Sequence, residues 1–200
     1  MAHLPLTLVY RQKYIQDQLN ESAETKKKMF EACAGDILKA VDAIISAFNN
    51  KKKVLLCGNG GSAADSQHIA TELVIRMSKP NRAALPAIAL TTDTSLLTAA
   101  GNDIGFENIF SRQVEALGNN GDVLIAISTS GKSENVNRAI KEANKRGMTV
   151  IGFLGKDGGT SKDIVDIPII IPSNDTQRIQ EGHITVAHIL CGIIESEMFG

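Results

Sequence analysis

Short apolar runs alternate with helical patterns through most of the chain after residue 50. The runs are rich in Val, Ile, Leu and Ala and lie at 54–57, 86–90, 123–128, 149–154 and 167–171. Runs of this length and composition predict buried β-strands. Between them, helical patterns lie at 63–77, 96–100, 107–117 and 134–145. The alternation predicts an α/β fold, a doubly wound three-layer αβα sandwich around a five-stranded parallel sheet.

Amphipathic helices flank this region at both ends of the chain. Two N-terminal helices are predicted, because an apolar pattern over 8–33 is interrupted at Gly35 and a second begins at Ile37. The last segment, 176–198, is apolar over more than half of its circumference and predicts one long C-terminal helix that needs two neighbours. We therefore expect a homo-oligomer. The expected organisation is one domain over 1–200, with 1–50 used in oligomer packing and 51–200 forming the α/β core.

Composition narrows the classes of function. The chain has 200 residues, and its 21 basic and 22 acidic side chains nearly cancel, which favours a small-molecule substrate over nucleic acid or an anionic membrane. No run approaches the roughly 20 apolar residues of a membrane span, and the first residues lack the design of a signal peptide. Three widely spaced cysteines indicate neither a disulfide framework nor a thiolate zinc site. We expect a soluble, cytoplasmic protein.

A glycine-rich loop follows the first predicted strand. In parallel sheets ligands bind beyond the carboxyl ends of the strands. The segment Gly58, Asn59, Gly60, Gly61 and Ser62 lies there, and its glycines let the backbone approach a ligand closely. It also fits the dinucleotide pattern Gly-x-Gly-x-x-Ala, but the acidic residue about 20 positions further on is missing. A nicotinamide or flavin site is therefore disfavoured.

A second loop, after the third predicted strand, is rich in hydroxyl groups. Its candidate ligands for a phosphate are Ser128, Thr129, Ser130 and Ser133, which precede a predicted helix whose free amides favour anions. An NTPase P-loop would need glycine where Ala126 stands. The remaining alternative is that these side chains only cap the helix.

Asn102 and Asp103 follow a short predicted helix beyond the second strand. Amide and carboxylate groups there can bond sugar hydroxyls. Asn and Asp also commonly shape turns, so both interpretations stay open.

Two pairs of polar residues lie on predicted helices. His68 and Glu72 are four residues apart, and Gln180 and His188 are eight apart, so each pair shares one face of its helix. An aldose–ketose isomerisation needs a base and an acid on either side of a sugar, and we assign Glu72 as base and His188 as acid. Alternatively, Glu72 pairs with Arg76 and His188 is a hydrogen-bonded core histidine.

The same four side chains also form a possible metal site. Two imidazoles, a carboxylate and an amide oxygen are acceptable ligands for a divalent cation such as zinc. His183, one turn from Gln180, is a rival ligand.

The motifs GNGGS, HxxxE, GND, STSGxS and RIQExH occur in this order over most of the chain. In this combination the sequence resembles the phosphoheptose isomerases of the sugar isomerase (SIS) fold. The resemblance implies a cytoplasmic enzyme that converts sedoheptulose 7-phosphate to D-glycero-D-manno-heptose 7-phosphate, for ADP-heptose and lipopolysaccharide core synthesis. Another phosphosugar isomerase, or a noncatalytic SIS protein that binds a replication-initiator partner, is the alternative.

The resemblance also implies roles for individual residues. Substrate contacts fall to the glycine-rich loop, to Asn102 and Asp103, to the hydroxyl-rich loop and to Gln180, and proton transfer falls to Glu72 and His188. One zinc ion per subunit is implied at His68, Glu72, Gln180 and His188. Members of this family form homotetramers with active sites at subunit interfaces.

Overall fold

The computed structural model describes residues 7–200, so the start of the predicted packing region 1–50 lies outside the described residues. All five predicted strands are present. They are β1 (Val54–Gly58), β2 (Ala87–Ala89), β3 (Val123–Ser128), β4 (Thr149–Gly155) and β5 (Ile167–Ile171). The α-helices of the described residues are α1 (Leu8–Asn49), α2 (Gly61–Val74), α3 (Thr94–Asp103), α4 (Ser111–Leu117), α5 (Glu134–Lys145) and α6 (Thr176–Phe199).

The sheet is parallel throughout, with the strand order β2-β1-β3-β4-β5. This confirms the predicted doubly wound fold. The chain moves outward from β1 to β2 and then returns to the other side of β1 to form β3. Ligands of such sheets bind at the carboxyl ends of the strands where the order reverses. The loops after β1 and β3 meet at this switch point.

Helices cover both faces of the sheet and divide the core in two. Helices α1, α2 and α6 pack on one face, against side chains such as Leu56 and Phe153. Helices α3, α4 and α5 pack on the other, against Leu55, Leu124 and Val150. Successive strand residues point to opposite faces, so burial on both sides explains the continuous apolar runs. Because α2 and α6 share a layer, the two predicted polar pairs lie in the same layer.

The prediction of two N-terminal helices is wrong, since α1 is one helix of 42 residues. An isolated glycine costs a helix only about 1 kcal/mol relative to alanine. The buried stripe Met29, Cys33, Ile37 and Val41 passes Gly35 in unbroken helical phase and joins the main core. Its packing offsets the cost of Gly35. Among the described residues ahead of Thr25, none is buried, so the first part of α1 is exposed, although the Gln18 carbonyl accepts a 2.7 Å hydrogen bond from Arg178 of α6.

Smaller features also bear on the sequence predictions. The predicted helix at 107–117 is split into a 3-10 turn, Phe106–Asn108, and α4. The Asn108 amide donates to the Ile104 carbonyl, a local bond that competes with helical backbone bonding. Cys33, Cys57 and Cys191 are free and buried. Within residues 7–200, no helix combines the length and apolar character needed to cross a membrane.

Candidate active site

The glycine loop (residues 58–62) turns the chain from β1 into α2. Gly60 has a positive φ of 56° and precedes Gly61, the first residue of α2. A Cβ on Gly61 would overlap the side-chain amide of Gln180, so this glycine lets α6 approach the start of α2. Asn59 exchanges two hydrogen bonds of 2.9 Å with Asn135 at the start of α5. The predicted substrate residues 59–62 therefore lie at the switch point, beside Gln180.

His68, Glu72 and His188 converge between α2 and α6. His68 Nε2 lies 3.1 Å from Glu72 Oε1 and 3.1 Å from His188 Nε2, although the two histidines are 120 residues apart in the sequence. The imidazole centroids are 5.0 Å apart. Glu72 thus contacts His68 and not Arg76, and the side chain of His188 faces the cluster instead of the core. The His68 side chain is 44% exposed, so small molecules can reach the cluster.

The donor set of this cluster fits a divalent metal. One ligand atom from each of His68, Glu72 and His188 lies within 4.8 Å of the others. Ligand atoms on a tetrahedral zinc ion, each about 2.0–2.2 Å from the metal, are separated by roughly 3.3 Å, close to the 3.1 Å contacts seen here. Gln180 approaches the glycine loop with its amide, and its place as a fourth ligand stays a prediction.

His183 is the rival ligand, and the structure separates it from the cluster. Its ring is buried between α6 and β4, where Nε2 lies 3.0 Å from the carbonyl oxygen of Leu154 and the ring contacts Phe153. Burial lowers the pKa of His183 to about 4, against the opposing effect of the bond to Leu154. His183 is therefore a neutral core histidine, the role that the sequence left open for His188.

The phosphate loop (residues 128–133) joins β3 to α5 and holds the predicted phosphate ligands. The Ser128 and Ser133 hydroxyls are 3.2 Å apart, and Ser128 Oγ accepts a hydrogen bond from the Gly131 amide. Ser133 occupies the N-cap of α5 but makes no capping bond with its side chain. Simple helix capping therefore does not account for Ser133. Thr129 and Ser130 are half-buried at the rim of the loop.

Asn102 and Asp103 end α3, and both side chains are exposed. The Asn102 amide donates a 2.7 Å hydrogen bond to Asp103 Oδ1. This contact is compatible with a turn and with a sugar site, so the assignment to sugar hydroxyls stays a prediction.

Two polar residues beside these groups were missed by the sequence analysis. Asn135 is buried and locks the start of α5 to the glycine loop through Asn59. Asp65 is four residues after Gly61 and three before His68, on the same face of α2. Its Oδ2 is buried without a hydrogen-bond partner among residues 7–200, and burial raises its pKa while His68 acts to lower it. The helical spacing was the signal that could have identified Asp65.

A buried ion pair beyond the cluster was also missed. Glu195, on α6, accepts 2.7 Å hydrogen bonds from Arg82 and from the Ser78 hydroxyl, and others from the amides of residues 77–79. Arg82 in turn donates to the backbone carbonyl of Glu72. Burial acts to raise the pKa of Glu195, but these hydrogen bonds outweigh it and hold the pKa well below its usual range. The pair ties the end of α2 to α6. No local sequence pattern joins positions so far apart.

The fold and these loops define a protein of the SIS domain class, and the model of the SIS domain matches residues 18–155. Among relatives, the phosphoheptose isomerase of Clostridium acetobutylicum is 55% identical over 189 residues, covering 94% of this chain and 96% of the relative. The phosphoheptose isomerase of a Nitratiruptor species is 57% identical over 183 residues, with 92% and 97% covered. The solved structure of a phosphoheptose isomerase from Francisella tularensis superposes with a TM-score of 0.90 at 39% identity, over 93% of this chain and 98% of that one. The chain belongs to the phosphoheptose isomerase family.

Proposed function

We propose that this chain interconverts sedoheptulose 7-phosphate and D-glycero-D-manno-heptose 7-phosphate. The observation that carries the proposal is the meeting of Glu72 with His68 and His188 between two facing helices, in a chain of this family. A base and an acid within reach of one bound sugar are what an aldose–ketose isomerisation requires. A noncatalytic SIS protein would not need this arrangement.

The proton transfers are assigned to two side chains. Glu72 removes a proton from C1 of the ketose while His188 protonates the oxygen on C2, which gives an enediol. Glu72 then returns the proton to C2, and His188, which has given its proton to O2, takes the proton from O1 as the aldehyde forms. Both groups reach the His68 imidazole in the structure, so one substrate segment of two carbons can contact both.

The remaining substrate contacts follow from the switch point. The phosphate is assigned to Ser128, Thr129, Ser130 and Ser133, and the sugar hydroxyls to residues 59–62, Asn102, Asp103 and Gln180. His68 is seven residues beyond Gly61, which corresponds to about 10 Å along α2. A substrate held by its phosphate at the carboxyl edge must therefore extend along α2. This favours a long, open-chain sugar phosphate.

A metal ion is part of the proposal. We assign one zinc ion per subunit to His68, Glu72, Gln180 and His188. When bound, it would supply a Lewis acid beside the carbonyl and hydroxyl oxygens of the sugar. Glu72 has two carboxylate oxygens and His188 has two ring nitrogens, so in each side chain one atom can bind the ion while the other moves the proton.

We also propose an oligomeric state and a cellular location for the enzyme. The exposed first part of α1 and the apolar groove between α1 and α6 support a homo-oligomer, which we propose to be a tetramer packed through residues 1–50. The isomerisation is proposed to take place in the cytoplasm, as the first step towards ADP-heptose for the lipopolysaccharide core.

The substrate assignment is tested with two ketose–aldose pairs. Purified protein is incubated with sedoheptulose 7-phosphate, and the aldose product is measured. Arabinose 5-phosphate, which has two carbons fewer, serves as the matched control for another phosphosugar isomerase. We expect turnover of the heptulose and little or none of the pentose. Faster turnover of arabinose 5-phosphate would contradict the proposal.

A further inference from the structure

The backbone carbonyl of Gly131, in the middle of the phosphate loop, has an unusual number of donors within reach. The Ser161 amide donates to it at 3.0 Å. The Thr160 hydroxyl lies at 3.2 Å and the Ser161 hydroxyl at 3.0 Å. These donors belong to the β4 loop (residues 156–161), which follows the neighbouring strand. One carbonyl of the phosphate loop is thus held by two residues of the β4 loop.

Asn137 on α5 organises these donors. Its side-chain amide donates to Thr160 Oγ1 at 2.9 Å, which leaves the Thr160 hydroxyl proton for Gly131. Its Oδ1 lies 2.6 Å from Ser161 Oγ, so the single hydroxyl proton of Ser161 is shared between Asn137 and Gly131. Asn137 and Ser161 are buried. The α5 helix, the β4 loop and the phosphate loop therefore form one hydrogen-bonded unit.

The two loops also touch through their backbones. A Cβ on Gly131, which has a φ of 62°, would overlap the carbonyl group of Gly158, and a Cβ on Gly159 would crowd the carbonyl oxygens of Ser130 and Gly131. Side chains at these positions would force the loops apart. The contact thus depends on glycine on both sides.

This contact orients a group that can bind an anion. In a trans peptide the N–H of Lys132 points opposite to the carbonyl of Gly131. Because the β4 loop holds that carbonyl, the Lys132 amide faces the other way, where Ser130 Oγ accepts from it at 3.2 Å. The amide and the Ser130 hydroxyl therefore face the same side of the phosphate loop, away from the β4 loop.

We propose that Asn137, Thr160 and Ser161 are positioning residues for the substrate phosphate, acting through the carbonyl of Gly131. The inference rests on the proposed assignment of the phosphate to residues 128–133. It adds the β4 loop, which the sequence motifs do not include, to the machinery that binds the phosphate. Loss of these bonds should weaken phosphate binding and leave the proton-transfer groups on α2 and α6 in place.

The sharpest test uses Thr160, because its side chain is exposed and its replacement leaves the core intact. Thr160→Val removes the hydroxyl at nearly constant shape, and Thr160→Ser retains it. We expect Thr160→Val to raise both the KM for the sugar phosphate and the inhibition constant of inorganic phosphate by roughly threefold to tenfold. The kcat should change less than twofold, and Thr160→Ser should resemble the wild type.

Ser161→Ala extends the test to the buried hydroxyl. It should raise the same two constants, with Ser111→Ala, a serine whose hydroxyl donates to the Asn108 carbonyl, as the unaffected control. A purely structural role would lower Tm and kcat without a selective effect on phosphate. If Ser161→Ala does not fold, the comparison of Thr160→Val with Thr160→Ser still tests the positioning role.

Ser130→Ala separates failure of this inference from failure of the proposed function. If Ser130→Ala leaves KM and phosphate inhibition unchanged, the phosphate does not bind at residues 128–133, and both proposals about this loop are overturned. If Ser130→Ala raises both constants while Thr160→Val leaves them at wild-type values, the phosphate assignment stands and the positioning role is wrong.

Discussion

At the scale of single residues, two histidines on α6 show how burial separates chemical roles. His188 faces α2 and lies 3.1 Å from His68, whereas His183 is buried against β4. Both are candidates by residue type. Only the direction in which each side chain leaves the helix distinguishes them, and that direction depends on which face of α6 meets the sheet.

Glu72→Gln and His188→Ala each remove a proposed proton-transfer group. We expect each to lower kcat by roughly 100-fold or more, since general acid–base catalysis contributes about that much. Glu115→Gln, an exposed residue paired with Arg112, is the control and should keep full activity. Circular dichroism would verify that the fold persists. Near-normal turnover in both site variants would refute the assignment.

The lowered pKa of His183 makes the stability of the fold depend on pH. Its pKa is about 4 in the folded protein and near 6.5 in the unfolded chain, so the unfolded chain binds the additional proton between these values. Stability should therefore fall as the pH drops from 6.5 to 4, by roughly 3 kcal/mol. The low pKa of Glu195 acts at lower pH, because its stabilisation is lost only below its usual value of 4.5.

The check is urea unfolding across this pH range at a fixed protein concentration. His183→Gln keeps an amide that can bond the Leu154 carbonyl but cannot take up a proton. We expect a clearly shallower loss of stability between pH 6.5 and 4 in this variant. An identical slope in both proteins would assign the acid response to other groups.

At the scale of elements, α1 shows that packing outweighs a local helix breaker. The buried stripe of α1 packs against β5 and α6 on both sides of Gly35. Gly35 itself is exposed, and a Cβ there would meet nothing within 4 Å. Helix propensity alone predicts a break at Gly35, whereas in the folded protein the burial of the apolar side chains around it keeps the helix continuous.

Substitution of Gly35 tests whether α1 is continuous. Gly35→Ala should raise the free energy of unfolding by about 0.5–1 kcal/mol, because alanine has the higher helix propensity and no clash. Gly35→Pro should cost about 3 kcal/mol or more by removing a helical hydrogen bond. Thermal and urea unfolding measure both. Tolerance of proline would instead indicate two helices with a break at this position.

At the scale of the whole molecule, α1 and α6 enclose an apolar groove of about 320 Å³. Its rim includes Phe30 and Leu38, whose exposed fractions are 78% and 57%, with Ile189 on α6. Exposed apolar surface of this kind is typical of sites that bind another protein or a ligand. The groove and the exposed first part of α1 lie on the same long helix, which supports a second copy of the chain as the proposed occupant.

Phe30→Glu places a charge in this groove and should shift the assembly to smaller species. Analytical ultracentrifugation gives the mass directly. Lys39→Gln, an exposed change on the same helix, should leave the mass unchanged. A wild-type protein that sediments as a monomer, or an unchanged assembly in Phe30→Glu, would place the interface elsewhere.

Several features followed from the sequence because they depend on short-range chemistry. The three central strands β1, β3 and β4 are continuous apolar runs because both of their faces are buried, and the glycine and hydroxyl-rich loops follow β1 and β3 as predicted. The spacing of His68 and Glu72 placed them on one face of a helix. Family motifs then linked these residues to one chemistry.

Only the tertiary structure brought His188 to His68, selected it over His183, joined Arg82 to Glu195 and set the β4 loop against the phosphate loop. Each of these contacts joins segments that are distant in the sequence. Their geometry depends on which helices share a face of the sheet and how closely glycine lets two backbones approach. The sequence alone determined most of the elements and the chemical groups available, and the packing of those elements determined that α1 is continuous and which groups meet.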